Sequence, residues 1–377
     1  MADPANQPAA SGLGPTSRSA GVLSIVLMGD ALLYVVLPVS AAAFGIGLVW
    51  VGILLSANRL VRILAYGAIA RATQRLGVRR AAIATAFTGA ASTVMFGLFD
   101  GGPVLLLARL MWGLSFAALT LICLAYAVDN RKQAGARVGL SRAIQQAGPA
   151  LSLTAGAWLA GAAGPQTAFL FIGLVSFVAV PFAMTLPRET KAAEREPTPW
   201  LPRPQALDLL FFAVGFAVDG VFTMTITLIL ADIVSLETAI LSGGAILAFR
   251  RATEAIVAPL GGLLGDRFGI GRALFTATLL SAAGMAAIAA GWVIGGAVAV
   301  IVGRAVLAAV GPAAVAQRSS PRQILHRLAA MQTWRDFGAA LGPLTSGFLL
   351  AQIEIPALYG TMVALLAVAL TFQIWRR

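Results

Sequence analysis

Ser56-Ala57-Asn58-Arg59-Leu60-Val61-Arg62 and Ala248-Phe249-Arg250-Arg251-Ala252-Thr253-Glu254 place charge inside two hydrophobic stretches, one in each half of the chain. A basic turn follows each at nearly the same distance. It reads Gln74-Arg75-Leu76-Gly77-Val78-Arg79-Arg80 in the first half and Asp266-Arg267-Phe268-Gly269-Ile270-Gly271-Arg272 in the second. A shift of 192 residues superimposes Arg59 on Arg251 and Arg75 on Arg267. An internal repeat in a chain this apolar is the pattern of a membrane transporter, and charges inside the apolar segments mark where cargo is handled.

The 377 residues are 59% hydrophobic and 11% charged, with a mean hydropathy of +0.87. Soluble domains carry about 25% charged residues, and their single cores stop growing near about 250–300 residues. Lipid is therefore the expected solvent for most of this surface. One cysteine, Cys123, excludes an internal disulfide or a cysteine-built metal cluster, and one histidine, His326, leaves little scope for a histidine-ligated metal. No metal or cofactor is expected. Residues 1–19 are rich in Ala, Pro, Ser and Gly, lack the ordered features of a signal peptide, and read as a disordered cytoplasmic tail.

A helix crossing about 30 Å of hydrocarbon needs about 20 residues. Cutting at Gly, Pro and charge clusters gives twelve predicted spans. Six are Ala20–Phe44, Val49–Ala70, Ala81–Phe99, Val104–Val128, Ala143–Ala163 and Thr167–Leu186. The others are Leu207–Ala231, Ala239–Leu264, Ala273–Ala290, Trp292–Ala316, Leu328–Gln352 and Ala357–Trp375. The domain plan is a tail (1–19), an N-terminal six-helix bundle (20–186), a cytoplasmic linker (187–206) holding five prolines, and a C-terminal six-helix bundle (207–377). Loops after the even-numbered spans carry the Arg and Lys residues, whereas the opposite loops carry Asp100, Asp232, Glu237 and Glu354. The positive-inside rule then makes both termini cytoplasmic and explains the net charge of +12 as topological anchoring, not nucleic-acid binding. Arg outnumbers Lys 25 to 2, as in proteins of GC-rich genomes, and a bacterial inner membrane is the expected location.

Several motifs carry a family resemblance over essentially the whole chain. Gly262-Leu-Leu-Gly-Asp266-Arg267-Phe-Gly269-Ile-Gly-Arg272 follows span 8, and a degraded copy with Gln74 in place of Asp follows span 2. Span 4 contains Arg109-Leu-Met-Trp-Gly113, span 10 has Arg304, span 5 has Gly148-Pro149 and span 11 has Gly342-Pro343. With twelve spans, a repeat and a mid-chain linker, the sequence resembles the Major Facilitator Superfamily. The resemblance implies an all-α membrane fold of two pseudo-symmetric bundles that rock around a central site. It also implies that spans 1, 4, 7 and 10 line the cavity, with 2, 5, 8 and 11 forming the seam.

Nine ionisable residues fall well inside the spans: Asp30, Arg59, Arg62, Arg109, Asp219, Arg250, Arg251, Glu254 and Arg304. Each costs about 2.5–3.5 kcal/mol at a helix centre, so the set needs a function. Their balance is cationic. Depth at about 1.5 Å per residue pairs Asp30 with Arg62 and Asp219 with Arg251 and Arg304, and disfavours Asp30 with Arg109. Arg251 and Glu254 share a helix face. Substrate-binding candidates are Arg59, Arg62, Arg251 and Arg304, since a guanidinium fork grips carboxylate or phosphate and stays charged. Asp30, Asp219 and Glu254 are candidate proton carriers, assisted by Arg109; the bland alternative is that these groups form permanent structural ion pairs. Asp266, Arg267, Arg75 and Asp129 are gate candidates, with Asp266 capping span 5 near Ser141-Arg142 and Arg335-Asp336 standing in for the acid missing at Gln74.

The leading expectation is a monomeric, proton-coupled exporter of a small anionic or zwitterionic organic molecule. An anion importer or exchanger without proton coupling and a non-transporting scaffold are the alternatives. No phosphate-binding loop is present, which excludes ATP-driven pumping by this chain alone, and no catalytic constellation points to an enzyme.

Overall fold

The computed structural model describes residues 12–187, 202–231, 236–349 and 352–375. Four continuous helices come first: α1 (Gly14–Val39), α2 (Leu48–Leu76), α3 (Val78–Leu98) and α4 (Gly102–Val128). The fifth span is α5 (Ala134–Gln145), α6 (Ala147–Leu151), a π turn (Ser152–Gly156) and α7 (Ala157–Ala163). The sixth is α8 (Pro165–Ser176) with α9 (Ala179–Met184). The seventh is α10 (Ala206–Val214), a longer π segment (Gly215–Phe222) and α11 (Thr223–Ala231). Then α12 (Leu236–Phe268), α13 (Ile270–Ala289), α14 (Val293–Arg318), α15 (Ile324–Leu349) and α16 (Ile355–Trp375) complete twelve spans.

The repeat survives in three dimensions. Adding 192 to the bounds of α1 gives 206–231, the extent of α10 through α11. The same shift carries Leu76 to Phe268, the last residues of α2 and α12. Gly77 and Gly269 follow at φ +82° and +108°, where a side chain would be strained, so each copy of the basic turn needs its glycine. Nine spans among the described residues are apolar enough to cross a membrane on length and composition alone. The fifth, eighth and eleventh are not among them. These three carry Arg142, then Arg250, Arg251 and Glu254, then Arg335 and Asp336.

Helix ends depart from the predicted ones. Gly14–Ser19, expected as disordered tail, is the first turn and a half of α1, held by Thr16 Oγ1 donating to Tyr126 O and Arg18 donating to Thr185 O. At its other end α1 stops at Val39, and Ala41–Phe44 is a separate 3-10 turn. The fifth span begins at Ala134, not Ala143, and its first three turns, with Arg137 and Arg142, pack along α12 and α14 of the other half. Most of the expected linker, residues 188–201, lies outside the described residues.

The halves meet tightly toward the end of the molecule that carries the basic turns. There α5 packs along α12 and α14, and α2 packs along α15. A side chain on Gly262 would strike the backbone of Gly135, and one on Gly139 would strike Ala258 O and Pro259 Cα. Residues seven apart share a helix face. On α12, Ala258 is fully buried whereas Arg251, two turns away toward the opposite end, is exposed. On α2, Tyr66 is buried, Arg59 half-buried and Gly52 exposed along one stripe. The seam is thus shut at the basic end and widens toward the loops bearing Asp100 and Glu354.

Gly262→Val would put two methyl groups where the Gly135 backbone lies, and should force the basic end apart. Spin labels on Leu76→Cys and Phe268→Cys, both exposed in the wild type, would report a longer distance in the variant. An unchanged distribution would show that this glycine contact does not hold the seam.

Candidate functional site

Asp219 sits on the π segment of the seventh span, with only 9% of its surface exposed. Three arginines from three other helices converge on it. Oδ1 accepts from Arg250 of α12 and from Arg304 Nε of α14 at 2.6 Å, and Oδ2 accepts from Arg335 of α15 through Nε (3.1 Å) and Nη2 (2.8 Å). Arg304 also donates from Nη1 to Glu254 Oε2 at 2.9 Å. Arg250 also donates to Thr223 Oγ1 at 2.6 Å, and that hydroxyl donates to Val218 O, a carbonyl of the widened π turn. Stacked glycines bring the helices close enough: a Cβ on Gly220 would lie 2.7 Å from Gly342 Cα.

A small cavity opens beside this cluster. Asp219, Arg304, Arg335, Gln332 and, from the other half, Arg142 give it a polar rim. Phe211, Leu307, Pro312 and Met331 form apolar walls. Its free volume of about 20 Å³ is room for about one water. Two polar atoms at its edge are buried without a partner, Arg142 Nε and Gln332 Oε1. Gln332 is only 3% exposed.

The first half holds a separate pair. Arg109 Nη1 donates to Asp30 Oδ1 at 2.7 Å and its Nε to Leu54 O at 2.9 Å, while its guanidinium lies 5.3 Å from the Trp112 ring centre. Arg109 is 1% exposed. The depth argument against this pair fails because the helix ends were misplaced. Asp30 lies nine residues from the end of α1 and Arg109 seven from the start of α4, a mismatch of about 3 Å. Arg62, expected to meet Asp30, instead lies 3.0 Å from Asp336 Oδ2 across the seam, an ion pair too bent for a linear hydrogen bond. Tyr66 OH donates to the same oxygen at 3.1 Å, and Arg59 Nη1 donates to Ala339 O at 3.1 Å.

The other expected pairings resolve as follows. Asp219 meets Arg304 as matched depth requires, but not Arg251, which is exposed. Glu254 turns to Arg304, not to Arg251 on its own helix. Asp266 does cap the fifth span, nine residues before the expected start: its Oδ1 and Oδ2 accept from Gly135 N (2.9 Å) and Ala136 N (2.8 Å) at the start of α5. A carboxylate there also meets the positive end of the helix dipole. Arg75, Asp129 and Arg267 are exposed at the basic end, Arg267 lying 5.5 Å from the Phe268 ring. Arg335, Arg142 and Gln332 escaped sequence reasoning as site residues. Arg335 was visible seven residues before Gly342-Pro343, but its charge was read as belonging to the gate.

Residues 20–250 match the family model of the Major Facilitator Superfamily. No curated protein sequence matches the chain. The fold is similar to that of the human organic anion transporter MFSD10 (TETRAN), at 17% identity over 97% of this chain and 100% of that one, with a TM-score of 0.73. It is also similar to the E. coli fucose:proton symporter FucP, at 14% identity over 96% and 98%, TM-score 0.75. A bacterial homologue of the iron transporter ferroportin in an outward-facing state gives 16% identity over 97% and 99%, TM-score 0.73.

Asp336→Ala would leave Arg62 charged and buried without its acid, a loss worth about 3–5 kcal/mol to this closed seam. The melting temperature in detergent should fall in the single variant and recover in part in Arg62→Met/Asp336→Leu. Equal melting of the wild type and Asp336→Ala would show that the pair contributes nothing.

Proposed function

Because the chain belongs to the Major Facilitator Superfamily, and is therefore a multi-pass membrane transporter and not an enzyme, we propose that it carries a small organic anion, or a zwitterion presenting an anionic group, by proton-coupled alternating access. One observation carries this reading. Among the described residues, Arg142, Arg304 and Arg335 line the cavity with one acid, Asp219, and just behind it Arg250 and Glu254 complete a cluster of four arginines and two acids, a formal excess of two positive charges. Such an excess away from water is costly unless an anion balances it. Apolar walls beside the guanidinium forks fit an organic body with a carboxylate or phosphate head.

Roles follow from placement. Arg304 and Arg335 grip the cargo, and Arg142 completes the grip from the opposite half. Arg59 and Arg62 serve the seam. Arg251, exposed two turns from the tight Gly139–Ala258 contact, is a charge that an arriving anion meets before the buried cluster. Asp219, with Glu254 behind it, carries the proton, while the enclosed Asp30–Arg109 pair braces the first half around α2. Asp266 latches the basic end; Arg75, Arg267 and Asp129 hold that end in water. The basic loops support a topology with both termini cytoplasmic, and the membrane proposed is a bacterial inner one.

Efflux was the expected direction because of Gly148-Pro149. Gly148 packs against the Ser24 carbonyl and its amide donates to Ser24 Oγ at 2.8 Å, a close helix contact that serves either direction. An organic anion transporter and a proton symporter among the structural neighbours support only the point that this fold accommodates both kinds of chemistry.

Competition binding to the purified protein by carboxylates, organic phosphates and quaternary amines separates the charge classes. Anions should compete and amines should not. Arg335→Lys keeps the charge but loses the fork, and should weaken anion binding about tenfold, near 1.4 kcal/mol. Competition by amines alone would overturn the anionic reading.

A further inference from the structure

A separate cavity lies at the basic end of the second half, and we infer that it holds the phosphodiester headgroup of an anionic phospholipid. It measures about 480 Å³ and opens between the start of α10, the end of α14 and the last turn of α16. Arg318 and Arg327 line it, together with Ser319, Leu209, Val315 and Phe372. None of its lining residues is an acid, and none lines the cavity beside Asp219, so the inference is independent of the cargo.

Its depth is that of lipid headgroups. Arg318 is the last residue of α14, Gln205 directly precedes α10, and Phe372 stands three residues from the end of α16. Trp375, 79% exposed at that end, sits where interfacial tryptophans anchor a span. A buried acid presents one of the two arginines. Asp208 is fully buried, and its Oδ2 accepts from Arg327 Nη2 and from Gln205 N, both at 2.9 Å. That anchor fixes the guanidinium through one nitrogen, and the other two make no hydrogen bond to another described residue. Arg318 reaches from α14 to α16, where the Gln373 amide, turned to offer its oxygen, accepts from Nη2 at 2.8 Å.

Two guanidiniums fixed on different helices suit a phosphodiester, whose two unesterified oxygens share one charge and accept from several donors at once. The positive end of the α10 dipole opens on the same cavity. Leu209 and Phe372 are half-buried on two of the flanking helices, and Ile374 beside them is exposed. A soluble phosphate ester gains nothing from such walls, whereas the glycerol and upper acyl carbons of a lipid are sheltered by them. Basic pockets between spans at the cytoplasmic surface take anionic headgroups on these terms. A phosphate gripped by both arginines ties the start of the seventh span to the end of the tenth, the spans that carry Asp219 and Arg304.

Native mass spectrometry of the purified full chain, released from neutral detergent, counts bound lipid directly. Phosphatidylglycerol should be retained in preference to phosphatidylcholine with the same acyl chains. Arg318→Gln should weaken retention about fivefold, the loss expected of one arginine at an anionic headgroup. Ala206→Phe, which fills the cavity from a half-buried position and leaves every charge in place, should weaken it as much. Arg80→Gln, at an exposed position on the basic end of the other half, should change nothing. Equal retention of the two lipids, or equal weakening by Arg80→Gln and Arg318→Gln, would overturn the site in favour of diffuse surface attraction. Glycerol phosphate binding as tightly as the lipid would overturn the lipid as occupant in favour of a soluble phosphate ester. Glu189, Glu194 and Glu196 of the linker are rival occupants. Lipid retained only after their replacement by Gln would assign the cavity to the linker instead. Arg318 and Arg80 are both exposed, so the comparison between them decides the matter even if Ala206→Phe does not fold.

Discussion

Asp219 and its three arginines form the interaction on which the rest of this structure depends. Burying one carboxylate costs several kcal/mol, and burying a guanidinium costs a comparable amount, so neither is tolerable alone. Placed together on the seventh, eighth, tenth and eleventh spans, they fix which faces of four helices turn inward. The glycine contacts between the π segment and α15 follow from the same demand, since Arg335 reaches Asp219 only if those backbones approach closely. Hydrophobic matching to lipid could not supply this specificity, because one apolar helix face resembles another.

The two halves share a fold but not a wiring diagram. The 192-residue shift that superimposes the helices places Trp112 opposite Arg304 and Ile301 opposite Arg109. Consequently the Asp30–Arg109 pair lies about one turn away from the level of the Asp219 cluster. The first half contributes a charge-balanced pair packed against aromatic rings, and the second half contributes an overcharged cluster beside a cavity. Among the described residues Arg142 reaches the cavity from the first half, and Arg62, Arg59 and Tyr66 bond to α15 across the seam in the middle of the molecule.

Much of this was legible in the sequence. The repeat, the glycine of each basic turn and the alternation of basic and acidic loops follow from hydrocarbon thickness and backbone sterics, which act locally. Pairings were legible only where helix ends were right. Asp219 and Arg304 were matched correctly because both were counted from nearly true ends. Asp30 was misassigned because Ala41–Phe44 is apolar enough to extend a span yet leaves the helix. Rotation about the helix axis was beyond reach altogether. Arg250 and Arg251 differ by one position and about 100°, and that turn decides which one meets Asp219.

Asp219 also stands on a wound-out stretch of chain, where each loop of backbone encloses five residues instead of four and Thr223 props the extra slack through Val218 O. Slack of this kind can migrate along a helix without breaking it, as a ruck travels along a carpet. Were it to pass Asp219, the carboxylate would roll away from α15 while the ends of the span stayed anchored. The seventh span is then less a strut than a crankshaft, able to turn a charge through an angle without the whole bundle having to follow.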